Sequence, residues 1–289
     1  MIELVEVSPR DGLQNEASIL PTADKIALIG RAIGAGVRRI EVASFVNPRR
    51  VPQMADAEAV IAGLPACPGV NTIGLVLNLR GVERALATAV DEIGLVCVAS
   101  DGFGAANQAM SSEESVAMVR TCAARARAAG RNVQATIAVA FGCPFEGAVS
   151  RARVVAIARK LADAGLREIG LADTIGVARP HEVSALVARV VEAVRPLPVR
   201  IHCHDTRGMG VANALAAVAA GAVTVDGAIA GTGGCPFAPG ASGNVASEDL
   251  AYAFGDELAV DLPALVETGH WLNARLGRTQ QSAQMRTTL

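Results

Sequence analysis

Residues 199–229 read VRIHCHDTRGMGVANALAAVAAGAVTVDGAI, and this stretch determines the fold that we expect for the chain. It begins with a β-rich run at 199–202, continues through a helical pattern at 208–220, and ends in a second β-rich run at 223–229. A strand, a helix and a second strand in this order form a βαβ unit, in which the two strands lie parallel. The stretch therefore predicts an α/β fold built on a parallel sheet.

The same alternation of strand and helix extends towards the N-terminus. Further strand patterns occur at 3–7, 39–43, 73–77, 92–98, 133–140 and 168–171. Helical patterns lie between them, at 22–34, 53–62, 79–89, 112–129, 150–164 and 180–194. Eight strands, each followed by a helix, are typical of a (β/α)8 TIM barrel of roughly 250 residues. A doubly wound open sheet is the alternative, but the first strand leads into SPRDG rather than a glycine-rich phosphate-binding turn.

No Ser-, Gly- or Pro-rich linker divides the sequence, so we expect residues 1–289 to form one catalytic domain. The barrel is expected to occupy about 1–255. The helical patterns at 247–254 and 262–276 predict its eighth helix and an extra C-terminal helix, with the helical extension covering about 260–277.

Composition excludes several classes of function. The net charge is −2 and aromatic residues make up 3% of the chain, which argues against nucleic-acid binding. We find neither an apolar run long enough to span a membrane nor a signal peptide, and the six cysteines form no C-x-x-C pair, so we expect a cytoplasmic protein. Of the 26 basic residues, only Lys25 and Lys160 are lysines.

Polar side chains gather where the predicted strands end. In a TIM barrel the carboxyl ends of the strands surround the active site, so these residues form a list of candidates. They are Arg10, Asp11, Gln14, Glu41, Ser44, Asn78, Asp173, Thr174, His202 and His204. Such a concentration at one end of the barrel is typical of an enzyme.

The pair His202 and His204 is the most specific of these features. Alternate residues of a strand project to the same side, so both imidazoles can reach one ion. With Asp11 and Asn244 they would form a mixed nitrogen and oxygen set, which favours Mg²⁺ or Mn²⁺, although Zn²⁺ remains possible. The alternative is that both histidines are hydrogen-bonded structural residues.

Two other features narrow the chemistry. Lys25 and Lys160 fall within predicted helices, away from the strand ends, so a Schiff-base mechanism is poorly supported and a metal mechanism remains. Cys235 lies in a glycine-rich loop at the catalytic end and is either a functional thiol or a loop residue without a role. Asp173 is either a site residue or the N-cap of the next helix.

Several ordered blocks resemble the 3-hydroxy-3-methylglutaryl-CoA lyase family, over residues 3–276. The blocks are VSPRDGLQNE at 7–16, IEVASFV at 40–46, VPQM at 51–54, GCP at 142–144, DTIG at 173–176, HCHDT at 202–206 and GGCPFAPGASGN at 233–244. The resemblance implies a metal-dependent barrel enzyme. It would cleave a 3-hydroxy-3-alkylglutaryl-CoA into acetyl-CoA and a 3-ketoacid by a retro-Claisen reaction.

By this resemblance, each candidate residue has an expected role. Asp11, His202, His204 and Asn244 would hold Mg²⁺ or Mn²⁺, and His202 or Asp11 would remove the hydroxyl proton. Arg10 would stabilise the enolate, Cys235 would help to protonate the acetyl-CoA carbanion, and Glu41 would support Arg10 or the metal shell. The remaining candidates are assigned to binding of the acyl-CoA substrate, and the family implies a homo-oligomer, expected to be a dimer.

The chain also departs from the family pattern. Arg207 stands where the family usually has Tyr, and it could pair with a substrate carboxylate or a CoA phosphate or face solvent. Leu77 replaces a usual Pro, Ala17 a frequent Lys and Thr232 a common Leu, so an alkyl group longer than methyl at C3 of the substrate stays open. Two other hypotheses remain: a Claisen-type synthase on the same barrel, and a barrel without catalytic activity.

Overall fold

Eight parallel strands close into a barrel in the computed structural model, which describes residues 2–234, 243–279 and 282–286 of the chain. The strands follow one another around the barrel in sequence order, and the first pairs with the last. Strands β1–β8 are Glu3–Glu6, Arg39–Ser44, Asn71–Val76, Glu92–Val98, Asn132–Ala138, Ile169–Asp173, Val199–Cys203 and Thr224–Gly227. This architecture confirms the TIM barrel that the alternation of patterns predicts.

Helices connect the strands and cover the outside of the barrel. Helices α1–α10 of the described residues are Thr22–Gly34, Ala57–Gly63, Leu79–Leu86, Asp101–Gln108, Ser112–Ala128, Arg151–Ala162, Pro180–Val194, Gly210–Ala219, Ser247–Phe254 and Leu262–Leu276. The last of these, α10, is the extra C-terminal helix, and it packs against α1 and against the turn that follows β8. No helix in the described part of the chain combines the length and the apolar character needed to cross a bilayer.

Apolar side chains form two separate clusters. The larger one fills the space between the strands and the surrounding helices. A smaller one, made of Val5, Val7, Ile73 and Ala228, lies inside the barrel. Because neighbouring side chains on a strand point to opposite sides, each strand contributes to both compartments.

Charged residues also lie in the barrel interior. The Arg39 guanidinium is fully buried and lies 2.6 Å from Glu92 Oε1 and 3.1 Å from Glu168 Oε2. Glu168, the residue just before β6, in turn lies 3.3 Å from Arg200 Nε, so the ion pairs continue from β2 to β7. Opposite charges at these distances satisfy groups that would be costly to bury alone.

We expect Arg39→Met to lower the free energy of unfolding by about 3–5 kcal/mol, because it removes the cation that two buried carboxylates share. The matched control is Arg125→Met, which breaks an exposed pair with Glu83 and should cost less than about 1 kcal/mol. Urea unfolding followed by circular dichroism measures both. An effect of Arg39→Met no larger than that of the control would contradict this account of the interior.

Candidate active site

A cavity of about 510 Å³ opens at the carboxyl ends of the strands. Arg10, Asp11, Glu41, His202 and His204 all line it, although they come from β2 and from the ends of β1 and β7. The barrel therefore brings together the residues to which the sequence assigns chemistry.

The segment that follows β1 forms a single π-helical turn over Ser8–Gly12. The Val7 carbonyl accepts hydrogen bonds from the amides of Arg10 at 3.2 Å, Asp11 at 2.8 Å and Gly12 at 3.1 Å. This tight turn presents Arg10 and Asp11 side by side to the cavity. Gly12 is required there, since a Cβ at this position would overlap Thr232 Oγ1.

Backbone pairing places Asn244 beside His204. His204 and Asn244 form an isolated antiparallel bridge just beyond β7. Its flanking hydrogen bonds run from Asp205 N to Gly243 O at 3.1 Å and from Val245 N to Cys203 O at 3.1 Å. Residues far apart in sequence are thereby fixed as neighbours at the cavity wall.

The side chains at this point fit a divalent cation. Asp11, His202 and His204 each offer one ligand atom, and these atoms lie within 4.8 Å of one another. His204 Nδ1 and Asn244 Oδ1 are buried without a hydrogen-bond partner among the described residues, which is costly unless a ligand completes them. Imidazole nitrogen with carboxylate and amide oxygen is a donor set that divalent metals accept.

The electrostatics of Asp11 and His204 agree with such a site. Burial would raise the pKa of Asp11, but Arg10, His202, His204 and Asn244 together lower it to about 2. Burial and the charge of His202 lower the pKa of His204 to about 4, so this ring is neutral near pH 7. An ionised carboxylate and a neutral imidazole are the forms that bind metal ions.

Asp226, at the end of β8, is a site residue that the sequence analysis missed. Its Oδ2 lies 3.1 Å from His202 Nδ1, while His202 Nε2 lies 3.8 Å from Asp11 Oδ2. Burial lowers the pKa of His202, but the hydrogen bond and charge of Asp226 outweigh it, and the pKa is raised. The available signal was a carboxylate placed among the Val and Gly residues of a buried strand.

Glu41 holds the Arg10 guanidinium in place. Arg10 Nε donates to Glu41 Oε2 at 2.6 Å, and Arg10 Nη1 donates to Asp11 Oδ1 at 2.6 Å. Burial alone would lower the pKa of Arg10, yet the two carboxylates raise it. The cation is thus fixed at the cavity wall beside the candidate metal ligands.

Gln14, Asn78 and Thr174 also line the cavity. Gln14 Oε1 is buried without a hydrogen-bond partner among the described residues. Asn78 Oδ1 accepts a hydrogen bond from Gly81 N at 3.0 Å and so caps α3. Thr174 Oγ1 accepts one from Val139 N at 2.8 Å.

Three other candidates lie outside the cavity lining. Both carboxylate oxygens of Asp173 accept backbone hydrogen bonds, from Val177 N at 2.9 Å and Ala178 N at 3.0 Å, so this side chain braces the loop before α7. Arg207 Nη1 donates to the Gly176 carbonyl at 2.7 Å. Ser44 is buried, and its Oγ has no hydrogen-bond partner within the described ranges.

Cys235 lies outside the described residues, so its place relative to the cavity stays a prediction. The residues just before it are described, and Gly234 lines the cavity. Asn244 Nδ2 donates to the Thr232 carbonyl at 3.0 Å, which ties this segment to the bridge with His204.

A buried carboxylate, Glu248 in α9, holds the turn that leads into this segment. Ala230 N donates to Glu248 Oε1 at 3.1 Å, at a backbone position with a φ of 60°. Burial raises the pKa of Glu248 to about 7 from 4.5. The folded protein therefore retains a proton that the unfolded chain releases, and the stability from this group is lost as the pH rises from about 4.5 through 7.

We expect Glu248→Gln to abolish this loss. The free energy of unfolding of the variant, relative to that of the unmodified protein, should be up to about 3 kcal/mol higher at pH 8 than at pH 5. Urea unfolding at the two pH values measures the gain. The exposed Glu267→Gln serves as control and should show none. An unchanged pH dependence in Glu248→Gln would show that Glu248 is ionised in the folded protein.

Comparison with known proteins identifies the family and agrees with the fold. The HMGL-like family model matches residues 1–269. The mitochondrial hydroxymethylglutaryl-CoA lyase of Rattus norvegicus is 42% identical over 290 residues, covering 99% of this chain and 89% of the rat protein. The (R)-citramalyl-CoA lyase of Chloroflexus aurantiacus is 44% identical, with 96% and 92% coverage.

A solved structure supports the same assignment. The HMG-CoA lyase from Acinetobacter baumannii, in complex with coenzyme A and 3-methylmalate, aligns with a TM-score of 0.94 and 38% identity. The alignment covers 99% of this chain and 95% of that one. The chain therefore belongs to the HMGL-like family and is a lyase of that family.

Proposed function

We propose that this lyase cleaves 3-hydroxy-3-methylglutaryl-CoA, or a close 3-hydroxy-3-alkylglutaryl-CoA, into acetyl-CoA and acetoacetate or the matching 3-ketoacid. The observation that carries the proposal is the cluster of Asp11, His202 and His204 beside Arg10 in one cavity. A retro-Claisen cleavage needs a polarised hydroxyl at C3 and a cation for the enolate that forms on the thioester. Asp11, His202 and His204 would hold an ion that polarises the hydroxyl, and Arg10 beside them would be the cation for the enolate.

Asp11, His202, His204 and Asn244 are the residues that would hold Mg²⁺ or Mn²⁺. When bound, the ion would act as a Lewis acid towards the tertiary hydroxyl of the substrate. Asp11 contributes a carboxylate that stays ionised because its pKa is about 2, and His204 contributes a neutral ring because its pKa is about 4.

His202 is the proposed acceptor of the hydroxyl proton. Its pKa is raised, whereas that of Asp11 is about 2, so His202 holds a proton better than the neighbouring carboxylate. Asp226 fixes Nδ1, which leaves Nε2 as the accepting atom. The same nitrogen would also be the atom that holds the ion, so His202 would act at any one moment either as a metal ligand or as the base.

Arg10 is the proposed partner of the enolate oxygen. Glu41 and Asp11 orient its guanidinium before the substrate arrives, and such preorganisation is the main source of electrostatic catalysis. The electron pair of the broken carbon–carbon bond passes to the thioester, and a proton must return to the acetyl carbon. We assign that proton to Cys235.

The apolar part of the cavity lining supports an acyl group that carries an alkyl substituent. This part consists of Phe45, Leu75, Leu77, Val96 and Phe103. An apolar wall favours burial of an alkyl group. The relatives named above are lyases of hydroxymethylglutaryl-CoA and of (R)-citramalyl-CoA, two thioesters that differ by one methylene between the carbon bearing the hydroxyl and the free carboxylate. The apolar wall alone does not set the length of this part of the substrate.

A panel of thioesters tests the proposal. The purified protein is incubated with Mg²⁺ and either 3-hydroxy-3-methylglutaryl-CoA, a longer 3-alkyl analogue or (R)-citramalyl-CoA, and the ketoacid is identified by mass spectrometry. Acetoacetate from the first substrate supports the proposal. Turnover of (R)-citramalyl-CoA alone, with pyruvate as product, would replace the substrate, and no cleavage of any thioester would refute the lyase mechanism.

We also propose a cytoplasmic homodimer whose single catalytic domain spans residues 1–289. A dimer is proposed from the family resemblance, and light scattering of the purified protein gives the mass that tests it. The relatives include a mitochondrial protein, so fractionation of the source cells tests the location.

A further inference from the structure

Arg200 lines the cavity and is 2% exposed. It lies on β7, two residues before His202, so both side chains point into the barrel. Its Nη2 donates to Gln134 Oε1 at 2.7 Å and to Thr136 Oγ1 at 2.6 Å, which are on β5. The guanidinium therefore spans the barrel interior.

The other side of the Arg200 guanidinium faces Asp226. Arg200 Nη1 donates to Asp226 Oδ1 at 3.2 Å, and His202 Nδ1 lies 3.1 Å from the second oxygen, Oδ2. The strand register pairs His202 with Asp226 and Arg200 with Thr224, which sets this geometry. Because a carboxylate is planar and rigid, the arginine that fixes one oxygen also fixes the direction of the other.

Asp226 has few alternatives to this arrangement. It is 5% exposed, so water cannot replace a lost partner freely. Without Arg200, Asp226 would therefore lose a buried hydrogen-bond donor that solvent cannot readily replace.

We propose that Arg200 is a positioning residue, which holds Asp226 in the orientation that directs His202 Nε2 towards Asp11 and the metal site. The proposal rests on the proposed function, since it requires His202 to serve as a metal ligand. Arg200 acts through Asp226 and makes no contact with the ion.

A direct contact between Arg200 and a substrate carboxylate is the competing explanation. Both terminal nitrogens already donate to protein acceptors. Nε has no hydrogen-bond partner among the described residues, but it lies 3.3 Å from Glu168 Oε2, at ion-pair distance. The geometry thus favours the positioning role. The two explanations differ in what they predict for metal binding in the absence of substrate.

The test measures Mn²⁺ affinity without substrate, from the electron paramagnetic resonance signal of free Mn²⁺. Loss of an outer partner of a metal-binding histidine typically weakens binding about 10- to 100-fold. We expect Asp226→Asn to fall in this range, Arg200→Met to weaken binding about 10-fold, and Arg200→Lys to lie between Arg200→Met and the unmodified protein. The matched control is Arg167→Met, which removes a cation from the far end of the same ion-pair network and should leave the affinity within twofold.

A double-mutant cycle separates positioning from general destabilisation. If Arg200 acts through Asp226, the double variant should bind Mn²⁺ no more than about twofold more weakly than Asp226→Asn alone. Additive losses would overturn the proposal, as would a raised KM in Arg200→Met with unchanged Mn²⁺ affinity. If Arg200→Met does not fold, the double-mutant cycle is measured with Arg200→Lys and Asp226→Asn instead.

Failure of the inference is distinguishable from failure of the proposed function. No Mn²⁺ binding by the unmodified protein would refute the metal site itself, and the inference with it. Normal binding by the unmodified protein and by every Arg200 variant would refute only the role of Arg200.

Discussion

Replacing Arg10 with Met is expected to lower kcat for thioester cleavage about 10²- to 10³-fold while Mn²⁺ affinity stays within about tenfold. A loss in rate of this size is typical when one preorganised hydrogen-bond donor to a developing oxyanion is removed. Metal binding should survive because His202 and His204 remain beside Asp11, where they lower its pKa and favour its ionised form. Steady-state kinetics and Mn²⁺ titration of the same preparation measure both quantities.

Two further variants sharpen this prediction. Arg10→Lys keeps a positive charge but loses the planar fork that contacts Glu41 and Asp11 together, so it should recover only part of the rate. Arg207→Met removes an arginine outside the cavity lining and should retain most of it. If Arg10→Met lost the metal, the division of roles between Arg10 and Asp11 would be wrong.

Asp11→Asn should abolish both metal binding and turnover. The substitution removes the negative charge that faces two histidines, yet it preserves the size of the side chain. We expect Mn²⁺ affinity to fall by more than the roughly 10- to 100-fold typical of an outer partner, because a ligand itself is lost. Calorimetric titration with Mn²⁺ and an assay of acetyl-CoA release give the two readouts.

Asp205→Asn is the matched control for Asp11→Asn. Asp205 adjoins His204 in sequence, but its Oδ1 accepts a hydrogen bond from Gly210 N at 2.7 Å, which an amide oxygen can also accept. This variant should bind Mn²⁺ normally. Equal losses in the two variants would mean that any change of charge near β7 disrupts the site.

The part of this site that follows from strand ends could be predicted from the sequence. Residues just after β1 and within β7 reach the same cavity because the barrel places all carboxyl ends together. The helical pattern at 112–129 corresponds to α5, which begins at a capping box formed by Ser111 and Glu114 and is followed by Gly130 with a φ of 78°.

Contacts between distant strands could not be predicted in this way. The link from Arg200 to Asp226 and Gln134 depends on register across three strands, which no local pattern encodes. Helix α4 was missed because Gly102 and Gly104 interrupt its helical pattern. Asp101, the first residue of α4, accepts a hydrogen bond from Ser112 N at 2.8 Å. Asp173 illustrates a third limit, since loop bracing and substrate binding require the same residue type at a strand end.

Asp11, His202, His204 and Asn244 are proposed to hold the catalytic ion. Crystals grown with Mn²⁺ and measured at a wavelength that gives anomalous scattering test it directly. We expect one anomalous peak at coordination distance, about 2.0–2.3 Å, from ligand atoms of Asp11, His202 and His204, with the Asn244 amide oxygen turned towards it. A peak elsewhere in the barrel, or an active enzyme whose crystals show none, would contradict the account.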